Sequence, residues 1–180
     1  MDYRGDENMF LKENNVVIRN ALVSDTATLS KWWADGKVMA HAGFPNGLKT
    51  DELKLAHRII LQNEQSLPNN QLMIIELINK YPIGEMNYQE QSKDVYEIGI
   101  KICVLNEQGN GYGTTAINLL IAFLRDELKA KKIILDTNLT NIGAQRFYKR
   151  LGFNQTSIKE DCWIDQMGNL QSAVFFEMLL

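Results

Sequence analysis

The chain has 180 residues, 45% of them hydrophobic and 23% charged, with a net charge of −3 and a pI near 5.5. That length suffices for one well-buried core and falls short of two. The acidic balance argues against a nucleic-acid partner, which selects a basic surplus.

The opening MDYRGDENMF lacks the basic flank and apolar stretch of a secretory signal. The longest near-apolar run, AINLLIAFL, is far short of a membrane span. Cys103 and Cys162 show neither metal-ligand spacing nor a disulfide framework. A cytoplasmic protein with free thiols, no metal and no membrane contact is therefore expected.

In chain order, residues 1–14 are polar and read as a flexible N-terminal tail. NVVIRNAL is a first strand. Ser24 has the chemistry of an N-cap for a helix over DTATLSKWWADGKVM, with Leu29, Trp32, Trp33 and Val38 on its apolar side. GFPNG breaks the chain with Gly, Pro and Asn-Gly turn signals. Thr50 caps a second helix, DELKLAHRIILQNEQ, whose Leu53, Leu55, Ala56, Ile59 and Ile60 fit a 3.6-residue period, and LPNN closes it.

QLMIIELI, PIGEMNYQEQ and DVYEIGIKIC are then strand-like runs separated by NKYP and SKD, turns short enough to join antiparallel neighbours. TTAINLLIAFLRDEL reads as a helix, KKIILDTN as a strand, and NIGAQRFYKRL as a helix with Gly152 at its C-terminal end. FNQTSIKEDCWID and SAVFFEML flank a turn at QMGN. No repeat, low-complexity segment or linker interrupts this order, so one α/β (α+β) domain over residues 1–180 is expected, with a strand–helix–strand crossover at its centre.

That crossover contains QGNGYGTT, Gln108 to Thr115, with glycines at 109, 111 and 113 between a strand and a helix. The arrangement suits an anion, because the free N–H groups of a helix's first turn converge with the positive end of its dipole. A triphosphate loop requires a lysine after the last glycine, where this chain has Thr114 and Thr115. A dinucleotide fingerprint, G-x-G-x-x-G, starts at Gly109 and Gly111 but meets Thr at 114.

Gln108, Gly111 and Gly113 complete the pattern Gln/Arg-x-x-Gly-x-Gly/Ala, and NIGAQRFYKRLGF follows, with Asn141, Ala144, Phe147, Tyr148, Leu151, Gly152 and Phe153 spaced as Asn-x-x-Ala-x-x-Phe-Tyr-x-x-x-Gly-Phe. Together these resemble the GCN5-related N-acetyltransferases, the GNAT superfamily. The resemblance is tight over residues 94–153 and looser elsewhere. The N-terminal helices and CWIDQMGNLQSAVFFEM resemble the branch holding ribosomal-protein-alanine and aminoglycoside 6'-N-acetyltransferases.

The resemblance implies a mixed, mostly antiparallel central sheet with a splayed parallel strand pair and about four flanking helices. It implies acetyl-CoA as co-substrate. The main chain of Gln108, Gly109, Asn110, Gly111, Tyr112, Gly113 and Thr114 would cradle the pyrophosphate. Ile102 and Cys103 would offer main-chain contacts to the pantetheine arm in the splayed gap. Asn138, Asn141, Ala144, Phe147 and Tyr148 would complete the coenzyme site, with Asn141 doubling as a helix N-cap.

Acyl transfer to an amine requires a neutral attacking nitrogen, a stabilised oxyanion and a protonated leaving thiolate. Tyr148 matches the family's tyrosine beside the coenzyme sulfur and is the candidate general acid. Glu97, which shares a strand face with Gly99 and Lys101 by alternation, is the first candidate base. Asp136, ending the adjacent strand, is the second. Glu85 and Glu160 are weaker candidates for amine recognition. Cys103 has no histidine near it in sequence and is not expected to act as a nucleophile. His41 and His57 match no motif, His57 reads as structural, and Trp33 is a candidate for the acceptor wall.

The expected activity is direct acetyl transfer from acetyl-CoA to a primary amine on a small molecule or a peptide N-terminus, the acceptor being cationic to suit an acidic protein. The competing expectation is a catalytically silent acetyl-CoA sensor or interaction module. Many members of the branch dimerise, and the sequence leaves a homodimer open.

Overall fold

A computed structural model describes residues 10–64 and 70–180. Among these residues the elements run β1 (Phe10–Glu13), β2 (Val16–Asn20), α1 (Thr26–Ala34), α2 (Gly36–Met39), α3 (Glu52–Asn63), β3 (Asn70–Leu77), β4 (Pro82–Ser92), β5 (Val95–Ile102), α4 (Tyr112–Asp126), β6 (Lys132–Asn138), α5 (Ile142–Arg150), β7 (Asn154–Ile164) and β8 (Leu170–Leu179). The strands form one sheet in the order β1-β2-β3-β4-β5-β6-β8-β7. Every neighbouring pair is antiparallel except β5 and β6, which α4 joins as a crossover. The expected mixed sheet with one parallel pair is what forms.

Alternation decides which face each strand buries. β3 lies inside the sheet and is covered on both sides, so Gln71–Leu77 are all buried. Its Leu72 and Ile74 pack with Leu29, Trp32, Leu55 and Ile59 of α1 and α3. Met73, Ile75 and Leu77 face the larger cluster, where Ile117, Leu120 and Leu124 of α4 meet Ile98, Leu135, Val174 and Phe176 of the sheet. On the first face, α1 and α3 cover β2 and β3 but leave the next strands open. Glu97, Lys101, Asp136 and Phe175 stand there, on strand positions alternate to the buried ones.

Arg19 joins β2 to the start of α1. Its guanidinium donates to both oxygens of Asp25 at 2.7 and 3.0 Å and through Nε to Glu76 at 2.9 Å. Both carboxylates are buried, and this one cation is shared between them.

Local departures from the sequence reading have local causes. Residues 1–9 of the expected tail lie outside the described residues, but Phe10–Glu13 form β1 and pair with β2. Ser24 falls within a 3-10 turn, Val23–Asp25, rather than capping α1. The first helix breaks at Asp35, whose side chain accepts from Lys37 N at 2.8 Å and starts α2, so there are five helices rather than about four. Asp51, not Thr50, caps α3, accepting from Leu53 N and Lys54 N. Leu53 projects into solvent, and His57 is exposed on the same helix. The LPNN break lies outside the described residues apart from Asn70, which opens β3.

Candidate active site

β5 and β6 pair from Val95↔Lys132 to Glu97↔Ile134 and no further. Beyond that point β5 stays with β4: the amides of Cys103 and Val104 both donate to the Ile83 carbonyl, at 2.8 and 3.0 Å. Because alternate residues of a strand point their amides to opposite sides, the Ile100 and Ile102 peptides are turned toward β6. A cavity of about 660 Å³ opens between Ile98–Ile102 and Asp136–Asn138, with Asn141, Ala144 and Tyr148 of α5 closing one end. An extended amide chain fits such a gap as an added strand would.

A second cavity of about 560 Å³ lies at the glycine loop and shares Ile100, Ile102, Gln108, Asn141 and Ala144 with the first. Gly111 is the residue before α4 and sits at φ +82°, a left-handed conformation that ordinary side chains disfavour. A Cβ on Gly109 or Gly111 would meet no protein atom within 4 Å. The space before the loop is therefore open, and the first-turn amides of α4 have no acceptor within their own helix. Tyr112, Gly113, Thr114 and Phe147 line this cavity, and Arg150 adds a cation. A donor-rich cradle with one guanidinium fits a pyrophosphate.

The structure distributes the expected coenzyme residues unevenly. Gln108 turns inward and donates from Nε2 to the Ile102 carbonyl at 2.8 Å, tying the loop to β5. Asn110 lines neither cavity; its Nδ2 lies 3.4 Å from both Asn106 O and Glu107 Oε2. Cys103 also lines neither. Its thiol is buried, and burial pushes its pKa up to about 12, which leaves no thiolate for nucleophilic attack. Asn141 caps α5 through Ala144 N while facing both cavities. Asn138 Oδ1 accepts from the backbone and hydroxyl of Thr140, both at 2.8 Å.

Tyr148 is buried among Phe147, Phe153 and Phe176, with ring centroids 5.5 to 6.0 Å apart. Burial, helped by the charge of Asp136, pushes its phenol up to about 12, so it stays protonated at neutral pH. Glu97 lines an adjoining cavity of about 320 Å³ and accepts from Gln91 Nε2 at 2.6 Å. Burial, and then Asp136, raise its carboxyl above the ordinary range. Asp136 lines both this cavity and the splayed cleft. It is open to the cleft's solvent, yet the surrounding walls displace bulk water and raise its carboxyl as well.

Glu85 is committed to Lys101, 3.1 Å away. Glu160 is exposed on β7. Trp33 packs against the α1–α3 cluster, and Trp32 is buried within it. The cleft instead takes Lys37, Val38, His41 and Ala42 from the α2 region and Trp163 from β7, none of them picked out by a motif in the sequence. Among the described residues no group of three or more His, Cys, Asp or Glu is arranged to hold a metal ion. No helix among them is long and apolar enough to cross a membrane.

A family model described as Acetyltransferase (GNAT) domain matches residues 15–154. Similar solved structures include a spermidine N-acetyltransferase from Vibrio cholerae in complex with CoA and spermine, with a TM-score of 0.79 at 20% identity over 93% of this chain and 96% of that one. The ribosomal-protein-S5-alanine acetyltransferase from Vibrio fischeri gives 0.78 at 14% identity over 95% and 96%. A GNAT-family acetyltransferase from Bacillus anthracis gives 0.77 at 19% over 95% and 98%. At these identities the likeness is one of fold. No curated protein matches the sequence significantly.

Proposed function

Because the chain belongs to the GNAT acetyltransferase family, we propose that it acetylates a primary amine by direct attack on acetyl-CoA within a ternary complex. The observation that carries this reading is continuity. The glycine-loop cavity and the splayed cleft share five lining residues and lead from the α4 N-terminus to Tyr148.

In the proposed reaction the amine lone pair forms an N–C bond to the acetyl carbonyl carbon, giving a tetrahedral oxyanion. Collapse breaks the C–S bond. The departing sulfur takes the phenol proton of Tyr148, and the nitrogen gives up its surplus proton to Asp136 or Glu97, directly or through water. Solvent returns that proton to Tyr148, so one amine and one thioester yield one amide and one thiol. Raised carboxyl pKa values suit the base, since proton transfer works best near the operating pH. The carboxylates of Glu97 and Asp136 also favour a cationic acceptor, as does the spermidine activity named for one structural neighbour.

Calorimetric titration with acetyl-CoA, with NADH as control, tests the reading. Micromolar binding of acetyl-CoA and none of NADH is expected, followed by turnover in an amine screen. Absence of acetyl-CoA binding would require the reading to be withdrawn.

A further inference from the structure

The roof of the cleft is built from segments more than 110 residues apart. Residues 37–47 form α2, a 3-10 turn at Ala40–Ala42 and a loop through Gly43 and Gly47. The β7–β8 turn grips that loop. Gln166 N donates to the Gly43 carbonyl at 2.8 Å, Gln166 Oε1 accepts from Asn46 N at 3.0 Å, and Gln166 Nε2 donates to the Gly47 carbonyl at 3.0 Å. One exposed glutamine therefore spends its backbone amide and both side-chain polar atoms on one loop.

Trp163 is aimed by the same device. Between Lys159 and Trp163 the β7 register slips, and Asp161 adopts φ 47° within the slip. Such bulges redirect side chains beside functional sites. The indole then lies against Gly43, where a Cβ would come within 2.5 Å of Trp163 Cζ3 at a backbone φ of +90°. The ring is half-buried and lines the cleft together with Val38, Ala42 and Asp136. The turn is also wired to the cleft floor: Gln171 Nε2 donates to Asp165, and Gln171 Oε1 accepts from Asn138 Nδ2, both at 2.9 Å.

We propose that Trp163, Val38 and Ala42 form the binding wall for the acceptor, which is a primary amine carried on an apolar alkyl arm, and that Gln166 is the positioning residue holding this wall over the cleft. The inference rests on the acetyltransferase reading above. The arm lies along the indole and the two aliphatic side chains, while the amine end reaches Asp136. None of these wall residues lines the glycine-loop cavity, so the pyrophosphate cradle and acceptor recognition are separable.

The test uses the full-length protein with methylamine and hexylamine as acceptors, comparing wild type with Gln166→Ala and Trp163→Leu. Gln166 is exposed, so its replacement leaves the core intact. Acetyl-CoA affinity, measured by calorimetry, is expected to be unchanged in Gln166→Ala, since Gln166 lines neither cavity. In wild type the KM for hexylamine should be at least about tenfold below that for methylamine. In both variants that ratio should collapse toward unity, through a rise in the KM for hexylamine. Amide exchange across residues 43–47 should rise in Gln166→Ala.

A preserved hexylamine preference in the variants, or unchanged exchange in Gln166→Ala, overturns the latch. Acetyl-CoA binding without any preference for, or turnover of, the longer amine in wild type overturns the alkyl wall. Failure to bind acetyl-CoA at all strikes instead at the underlying acetyltransferase reading, and the acceptor proposal falls with it.

Discussion

Asp136 acts on both of its candidate catalytic neighbours, second to burial. Its carboxylate adds to burial in raising both Tyr148 and Glu97, so the candidate acid and base are coupled through one group. Tyr148→Phe removes a proton donor and little packing, because the ring remains among Phe147, Phe153 and Phe176. The expected result is a kcat lowered by about 100-fold with acetyl-CoA affinity unchanged, measured by steady-state kinetics and calorimetry. Glu97 gives a pH test with a definite sign. Its folded pKa is raised, so its contribution to stability is full below the unfolded carboxylate pKa and is lost as pH rises through the folded value. Glu97→Gln should therefore raise the melting temperature at pH 7 by an amount worth less than about 1 kcal/mol, and the gain should vanish on acidification. Tyr148 and Gln108 were legible in the sequence because their motifs are local. Trp163 was not, since its partner Gly43 lies on a distant loop and no periodicity marks that contact.

At the scale of elements, the entry to α4 is fixed by the left-handed backbone of Gly111. Gly111→Ala places a Cβ in the left-handed region at the helix entry and should cost about 1 kcal/mol or more of strain. The strain falls on the amides proposed to hold pyrophosphate, so acetyl-CoA binding should weaken by about tenfold while β-sheet content by circular dichroism stays unchanged. Arg19→Ala acts elsewhere, leaving Asp25 and Glu76 buried without their cation. A loss of about 3 kcal/mol or more in urea unfolding is expected, with the cleft residues untouched. The long periodic runs, α4 and β3 to β6, were readable because their patterns extend over whole turns or several alternations. β1 was not: FLKE is four residues with two charges, and only pairing with β2 makes it a strand. The break at Asp35 was equally hidden, since Trp33 and Val38 continue an apolar stripe across it.

For the molecule as a whole, ligand linkage gives the simplest check. Acetyl-CoA at 100 times its Kd should stabilise the folded state by about 2.7 kcal/mol. In a protein of this length that corresponds to a rise of roughly 5–10 °C in melting temperature, readable by calorimetric scan; NADH should produce none. The order β3 to β6 was within reach of the sequence, because two short turns and one crossover set it, whereas the insertion of β8 between β6 and β7 was not. The roof was not, because it depends on where the last hairpin lands. The early parting of β5 and β6 carries one more consequence. Eight residue pairs bind β5 to β4 and seven bind β6 to β8, but only three bind β5 to β6. The sheet's backbone pairing thus narrows to a short seam between two well-paired halves, and an extended molecule lying in the gap would supply the backbone partners that neither strand offers the other.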